Sequence, residues 1–134
     1  MNIFDLRTTG RPGLRRAPPP GYGVGWVRIG DLDETVFFST KIWSSSVYAR
    51  HWKASAELLL RGEIGLFCTD LTDENASTFI GFPVAGGYDF EHWVFPRNHF
   101  ELVGLELRAA SYDRSEGASC WRVSEEALRA FTSA

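Results

Sequence analysis

The chain has 134 residues, a net charge of −3 and 44% hydrophobic residues, enough for one domain whose core needs neither disulfides nor a structural metal. Ten Phe, five Trp and four Tyr favour sheets and binding surfaces. Four arginines against Asp5 give residues 1–20 a charge of +3, so residues 21–134 carry −6, a poor surface for nucleic acid and a good one for a basic protein.

The first residues, Met-Asn-Ile-Phe-Asp, have neither the basic region nor the apolar core of an export signal, and no apolar run reaches the length of a membrane span. A cytoplasmic location is expected. Residues 8–23 hold four of the six prolines and four glycines, so residues 1–21 are expected to form an extended Pro- and Arg-rich arm ahead of a single domain over 22–134. Gly21, Gly23 and Gly25 do not make a phosphate loop, because the residues after them are strand-like and offer no helix N-terminus.

From Val24 the hydrophobic period is two, and the turn Gly30-Asp31-Leu32-Asp33 leads into Val36, Phe37 and Phe38, which together read as a hairpin. Residues 43–62 then change to a period of 3.6, with a helix expected at about 46–61. Tyr48, Trp52, Ser55, Ala56 and Leu59 share one face, and Arg50, Lys53, Glu57 and Arg61 the opposite one. Ser44, Ser45 and Ser46 are able to cap the first turn, Glu57 stands four residues before Arg61, and Gly62 suits the left-handed position after the last turn.

Residues 64–68 read as a short buried strand, and 70–75 as an acidic loop. Residues 78–84 and 90–95 are strands joined by 85–89, residues 101–108 a further strand, and 111–119 a loop. Trp121, Arg122 and Val123 make a last short strand, and Ser124 caps a helix over 124–131 with acids in its first turn. The fold class is α+β: a mostly antiparallel sheet of five to seven strands, one long helix packed on it and a short C-terminal helix.

Three kinds of chemistry are open. His92 and His99, beside Asp89 and Glu91, are the nearest approach to a metal or acid–base cluster, but a zinc site needs a third converging ligand that the spacing does not supply. His51 reads as a partly buried imidazole bonded to a neighbour. Cys68 and Cys120 have no metal-type spacing and read as reduced, buried thiols, the alternative of one structural disulfide needing an oxidising compartment. Trp26, Phe37, Phe79, Phe82 and Trp93 could stack single-stranded bases with help from the Arg-rich arm, although core packing accounts for most of these rings. The remaining feature is a set of acidic loops at Asp31, Asp33 and Glu34, at Asp70, Asp73 and Glu74, and at Asp89 and Glu91. If they share one side of the sheet with Tyr88 and Trp93, they form a negative patch with aromatic anchors.

Trp43-Ser44, then Tyr48, Trp52, Ala56, Leu59, Leu60 and Gly62 in their spacing, then Cys68-Thr69 and Phe79-Ile80, resemble the immunity proteins of bacterial contact-dependent growth inhibition systems. The closing Cys120-Trp121-Arg122-Val123-Ser124 and short helix are similar to their C-terminal ends. The likeness runs from about Val36 to the C-terminus. Ser55 departs from it where alanine is expected, Glu91-His92 where a Gln-Asn-like pair is expected, and the N-terminal arm has no counterpart. The resemblance implies a cytoplasmic, non-catalytic antidote without cofactor or metal. It would be a monomer when free and would form a one-to-one complex with a toxin domain, many of these toxins being nucleases with basic surfaces. Asp70, Asp73, Glu74, Tyr88, Asp89, Glu91 and Trp93 are the expected contact residues. The alternative is a single-stranded nucleic-acid-binding protein.

Overall fold

Alternation in the first hairpin becomes two eight-residue strands in the computed structural model, which describes residues 2–14, 16–103, 106–109 and 120–134, the backbone alone for 99–103 and 106–109. Strand β1 is Phe4–Arg7, β2 Tyr22–Ile29 and β3 Leu32–Ser39, and they form an antiparallel sheet in the order β1-β2-β3. Gly30 turns the hairpin with φ +61°, a conformation that costs glycine little. The stretch assigned to an extended arm thus begins with a strand. Phe4 and Leu6 are its apolar alternate positions, both buried, and their register opposite Ile29 and Val27 carries the strand onto the sheet.

Helix α1, Ser45–Leu60, follows the expected span closely. Ser44 is its N-cap, its hydroxyl accepting the Val47 N–H at 3.4 Å. At the other end the Gly62 N–H bonds Leu59 O at 2.9 Å and the Glu63 N–H bonds Leu58 O at 3.0 Å, a Schellman closure that needs the φ of +85° at Gly62. Arg61 pairs with Glu63 at 3.4 Å rather than with Glu57. The buried face is the expected one enlarged by His51, which is fully buried.

Strands β4 (Gly65–Leu71), β5 (Asn75–Val84), β6 (Gly87–Pro96) and β9 (Trp121–Val123) form a second antiparallel sheet in that order, and β7 (Phe100–Val103) with β8 (Glu106–Ala109) forms a separate ribbon that lies against β4. The expected strand over 101–108 is therefore two antiparallel strands, with Val103 opposite Glu106. Helix α2, Glu125–Ser133, is capped by Ser124 with Glu125 and Glu126 in its first turn. The expected loop over 111–119 lies outside the described residues.

The architecture is α+β, with two sheets where the sequence suggested one. The break falls between β3 and β4, and its cause is α1. Four side chains of the helix hydrogen-bond the edge of β4 that β3 would otherwise pair with. Trp52 Nε1 donates to Cys68 O at 2.7 Å, Ser55 Oγ donates to Leu66 O at 2.7 Å, and His51 Nε2 accepts the Cys68 N–H at 2.9 Å. Tyr48 completes the set, its hydroxyl accepting the Leu71 N–H at 2.9 Å and donating to Ser39 O at 2.8 Å. Gly65 lets the helix come this near: a Cβ there would stand 2.8 Å from Ser55 O. The sheets meet through Phe4, whose ring lies 5.3 Å from Phe67 and 5.1 Å from Phe90, while Phe131 of α2 closes on it edge-on at 5.0 Å.

Candidate protein-binding surface

The expected contact residues divide among three places. Asp73 and Glu74 are exposed on the turn between β4 and β5, which Thr72 ties together by accepting the Asn75 N–H at 3.0 Å and the Glu74 N–H at 3.3 Å on its hydroxyl. Asp70 is not in that loop. It belongs to β4, beyond a bulge at Cys68/Asp70, and its Oδ1 accepts the Ser39 N–H at 2.8 Å, joining the end of β3 to β4. Burial holds its carboxyl above the usual carboxylate range, partly offset by that hydrogen bond.

Tyr88 lies at the other end of β5, opposite Pro83. Asn75 and Val84 are nine steps apart along an extended strand, about 30 Å, so Tyr88 does not flank the Asp73–Glu74 turn. It is buried, which is the main reason its hydroxyl titrates higher than an ordinary tyrosine, with Glu125 adding to the effect. Asp89 and Glu91 are also buried, contrary to an exposed acidic loop. The sequence pattern starts the second strand of this hairpin at Phe90, whereas β6 already starts at Gly87 and the turn is only Ala85-Gly86. Asp89 is therefore on the strand as Glu91 is, and the two are buried on the same face of β6 as Phe95. Arg122 donates its Nε–H to Asp89, and Trp93 Nε1 donates to Glu91 at 3.1 Å. Trp93 itself is half-buried, stacked on Phe95 at 5.8 Å.

What remains at the surface is the Asp73–Glu74 turn together with its surroundings. A cavity of about 250 Å³ opens beside it, walled by Tyr22, Ser39, Lys41, Ile42 and Thr72. Ile42 is 37% exposed at its mouth. Sequence reasoning did not select Tyr22 or Ile42, because both are distant in the chain from the acidic turn and only the β3–β4 junction brings them to it. The lining is mixed, with the Asp73 and Glu74 carboxylates, the Lys41 ammonium and the hydroxyl-bearing Tyr22, Ser39 and Thr72 around the apolar Ile42, which suits a polar or basic side chain of a partner.

The other two chemistries fare differently. Ser77 Oγ and His92 Nε2 are 2.9 Å apart, and burial lowers the His92 pKa while Glu34 opposes the shift. The pair sits on strand surfaces, and no group of three metal-ligating side chains exists among the described residues. The side chain of His99 lies outside the described residues. The outer face of the first sheet carries the aromatic rings Trp26 and Phe37, but the arm folds back over them. Arg11 lies 5.7 Å from the Trp26 ring centre and pairs with Asp33, and Arg16 lies 5.0 Å from Phe37. The ring faces a base would stack on already hold guanidinium groups. Gly23, whose Cβ would fall 2.4 Å from Phe38 Cζ, is a site of close ring packing. Of the two thiols, Cys68 is buried and pushed up to about 12 by desolvation, whereas Cys120 is exposed, contrary to expectation, just before the short strand β9. No helix of the described residues is long and apolar enough to cross a membrane.

In sequence the chain matches no protein-family model and no curated protein. In structure it is similar to a chain of the CdiA-CT/CdiI toxin and immunity complex from Enterobacter cloacae, with a TM-score of 0.72 and 13% identity over 98% of this chain and 97% of that one. The likeness takes in both helices and both sheets, and the fold is therefore one found in a bacterial toxin–immunity complex.

Proposed function

We propose that this chain is an immunity protein: it binds the toxin domain of a contact-dependent growth inhibition effector in the cytoplasm and blocks its active site or substrate path. The observation that carries the reading is the structural likeness, which covers nearly all of both chains. The resemblance in sequence supports the immunity half of such a pair. Its residues, Trp43, Tyr48, Trp52, Ala56 and Leu59, are all buried, and most of them pack α1 against the second sheet. Binding, rather than catalysis, would be the activity, with one immunity chain to one toxin domain.

A basic nuclease suits the charge. Residues 21–134 carry −6, and an acidic inhibitor meets a phosphate-binding surface with complementary sign, raising the association rate and excluding unrelated partners. Asp73 and Glu74, with Tyr22 and Ile42 behind them, are the contact we assign first. Asp70, Asp89 and Glu91 would contribute field rather than direct contact.

The test is growth of bacteria that express the toxin domain encoded beside this chain, with and without the chain. Rescue from that toxin and not from an unrelated one is the expected outcome; failure of rescue by soluble protein overturns the reading. Reversing both charges with Asp73→Lys and Glu74→Lys should weaken the complex at least about tenfold, roughly 1.4 kcal/mol, and flatten its salt dependence. An unchanged dissociation constant would move the contact elsewhere.

A further inference from the structure

The first sheet has an open edge at β1. The Gly30 N–H bonds Ile3 O at 2.8 Å, which makes Ile3/Gly30 a hydrogen-bonded pair and, in an antiparallel ladder, Asp5/Arg28 and Arg7/Trp26 likewise. Phe4 and Leu6, in the alternate pairs, turn their N–H and C=O groups away from β2. Among the described residues nothing bonds to those groups. The strand has no proline, bulge or lysine to blunt the edge; only its four-residue length limits pairing.

Beside this edge runs a groove of about 490 Å³. Its lining comes from both faces of the sheet, with Asp5, Arg7 and Arg28 on the outer side and Lys53, Ala130 and Phe131 on the inner, so the groove follows the edge itself. Arg7, Arg28 and Lys53 face the Asp5 carboxylate there, Lys53 already donating to the main-chain oxygens of Phe131 and Ala134. Asp5 is already held by Arg7 Nε and Arg28 Nη2, each at 2.7 Å, and Arg28, stacked 4.1 Å from the Trp26 ring centre, keeps a buried Nε–H with no hydrogen-bond partner. In a chain of net charge −3 this is a local positive excess.

We propose that the β1 edge and its groove bind an extended acidic segment of a partner protein by strand addition. Main-chain bonds to Phe4 and Leu6 would supply the docking, and alternate side chains the selectivity. An acidic residue opposite Arg7 lies on the outer face with Arg28. Its neighbours point inward to the small and apolar wall made by Ala127, Ala130 and Phe131 of α2. A second copy of this chain is a poorer occupant, because it would bring two positive grooves together. The proposal does not depend on the toxin reading.

The experiment uses the full chain with two synthetic peptides, acetyl-TEVEVT-amide and its lysine counterpart acetyl-TKVKVT-amide. Amide hydrogen exchange and titration are followed residue by residue by NMR. The acidic peptide should bind at least about tenfold more tightly, and it should slow exchange at the Phe4 and Leu6 amides. Arg7→Glu should abolish the preference, and Arg7→Gln should reduce it, both with unaltered far-UV circular dichroism. Equal affinity for the two peptides, or protection confined to other strands, overturns the proposal. So does protection of Phe4 and Leu6 that rises with protein concentration in the absence of peptide, which would assign the edge to a second copy. Rescue from a toxin is a separate measurement, and its failure would leave these outcomes untouched.

Discussion

The molecule finishes two sheet edges in opposite ways. At β4 every outward main-chain group from Leu66 O to the Leu71 N–H that the structure pairs is bonded by a side chain of α1, and all four of those side chains are buried. At β1 the outward groups of Phe4 and Leu6 have no such partners among the described residues, and a charged groove runs alongside. A buried main-chain group left unpaired costs about 1–3 kcal/mol, whereas one in water costs little. The β4 edge is inside the protein and is satisfied by the helix; the β1 edge lines a groove, and among the described residues its outward groups are left unpaired there. The same element type is thus structural in one place and a candidate for recognition in the other.

The comparison is broken most severely by Trp52→Ala. The indole fills core volume and bonds Cys68 O, so its loss should cost about 3–5 kcal/mol, read as a lowered urea midpoint. A loss under about 1 kcal/mol would mean that the edge is not held by the helix. Tyr48→Phe is subtler. It keeps the ring that packs 5.0 Å from Phe38 and removes only the hydroxyl that bridges Leu71 N–H and Ser39 O. The expected destabilisation is about 1–3 kcal/mol, with faster exchange at the Leu71 amide. At the open edge, Arg7→Ala removes a half-exposed partner of Asp5 and should change stability by less than about 0.5 kcal/mol in the same urea experiment. A larger effect would show β1 to be as structural as β4.

How much of this was legible beforehand depended on range. The α1 span, its Ser44 cap and the Gly62 stop follow from a 3.6-residue period and from terminal groups only a few residues away. The hairpins of β2–β3 and β5–β6 follow from alternation and turn residues in the same local sense. His51 was legible as an imidazole bonded to a neighbour but not its full burial or which neighbour, because its partner is the Cys68 N–H seventeen residues on. Phe4–Arg7 escaped notice for a related reason: four residues give too short a period, and the Pro-rich stretch after them dominates the composition.

The candidate surface shows the division most clearly. Acidic residues are visible in any sequence, but their exposure is not. Asp73 and Glu74 are on a turn, where the chain has to reverse in water, whereas Asp89 and Glu91 lie on one face of β6 that the rest of the molecule covers. By itself the sequence determined the helix, the hairpins and the acidic character of residues 21–134, since these depend on neighbours in the chain and on counting charges. Only the tertiary structure decided that the sheet is two sheets, that Tyr22 and Ile42 stand behind the acidic turn, and that the β1 edge is open. Each of these depends on which main-chain groups are removed from water, and that is fixed by packing between segments far apart in the chain.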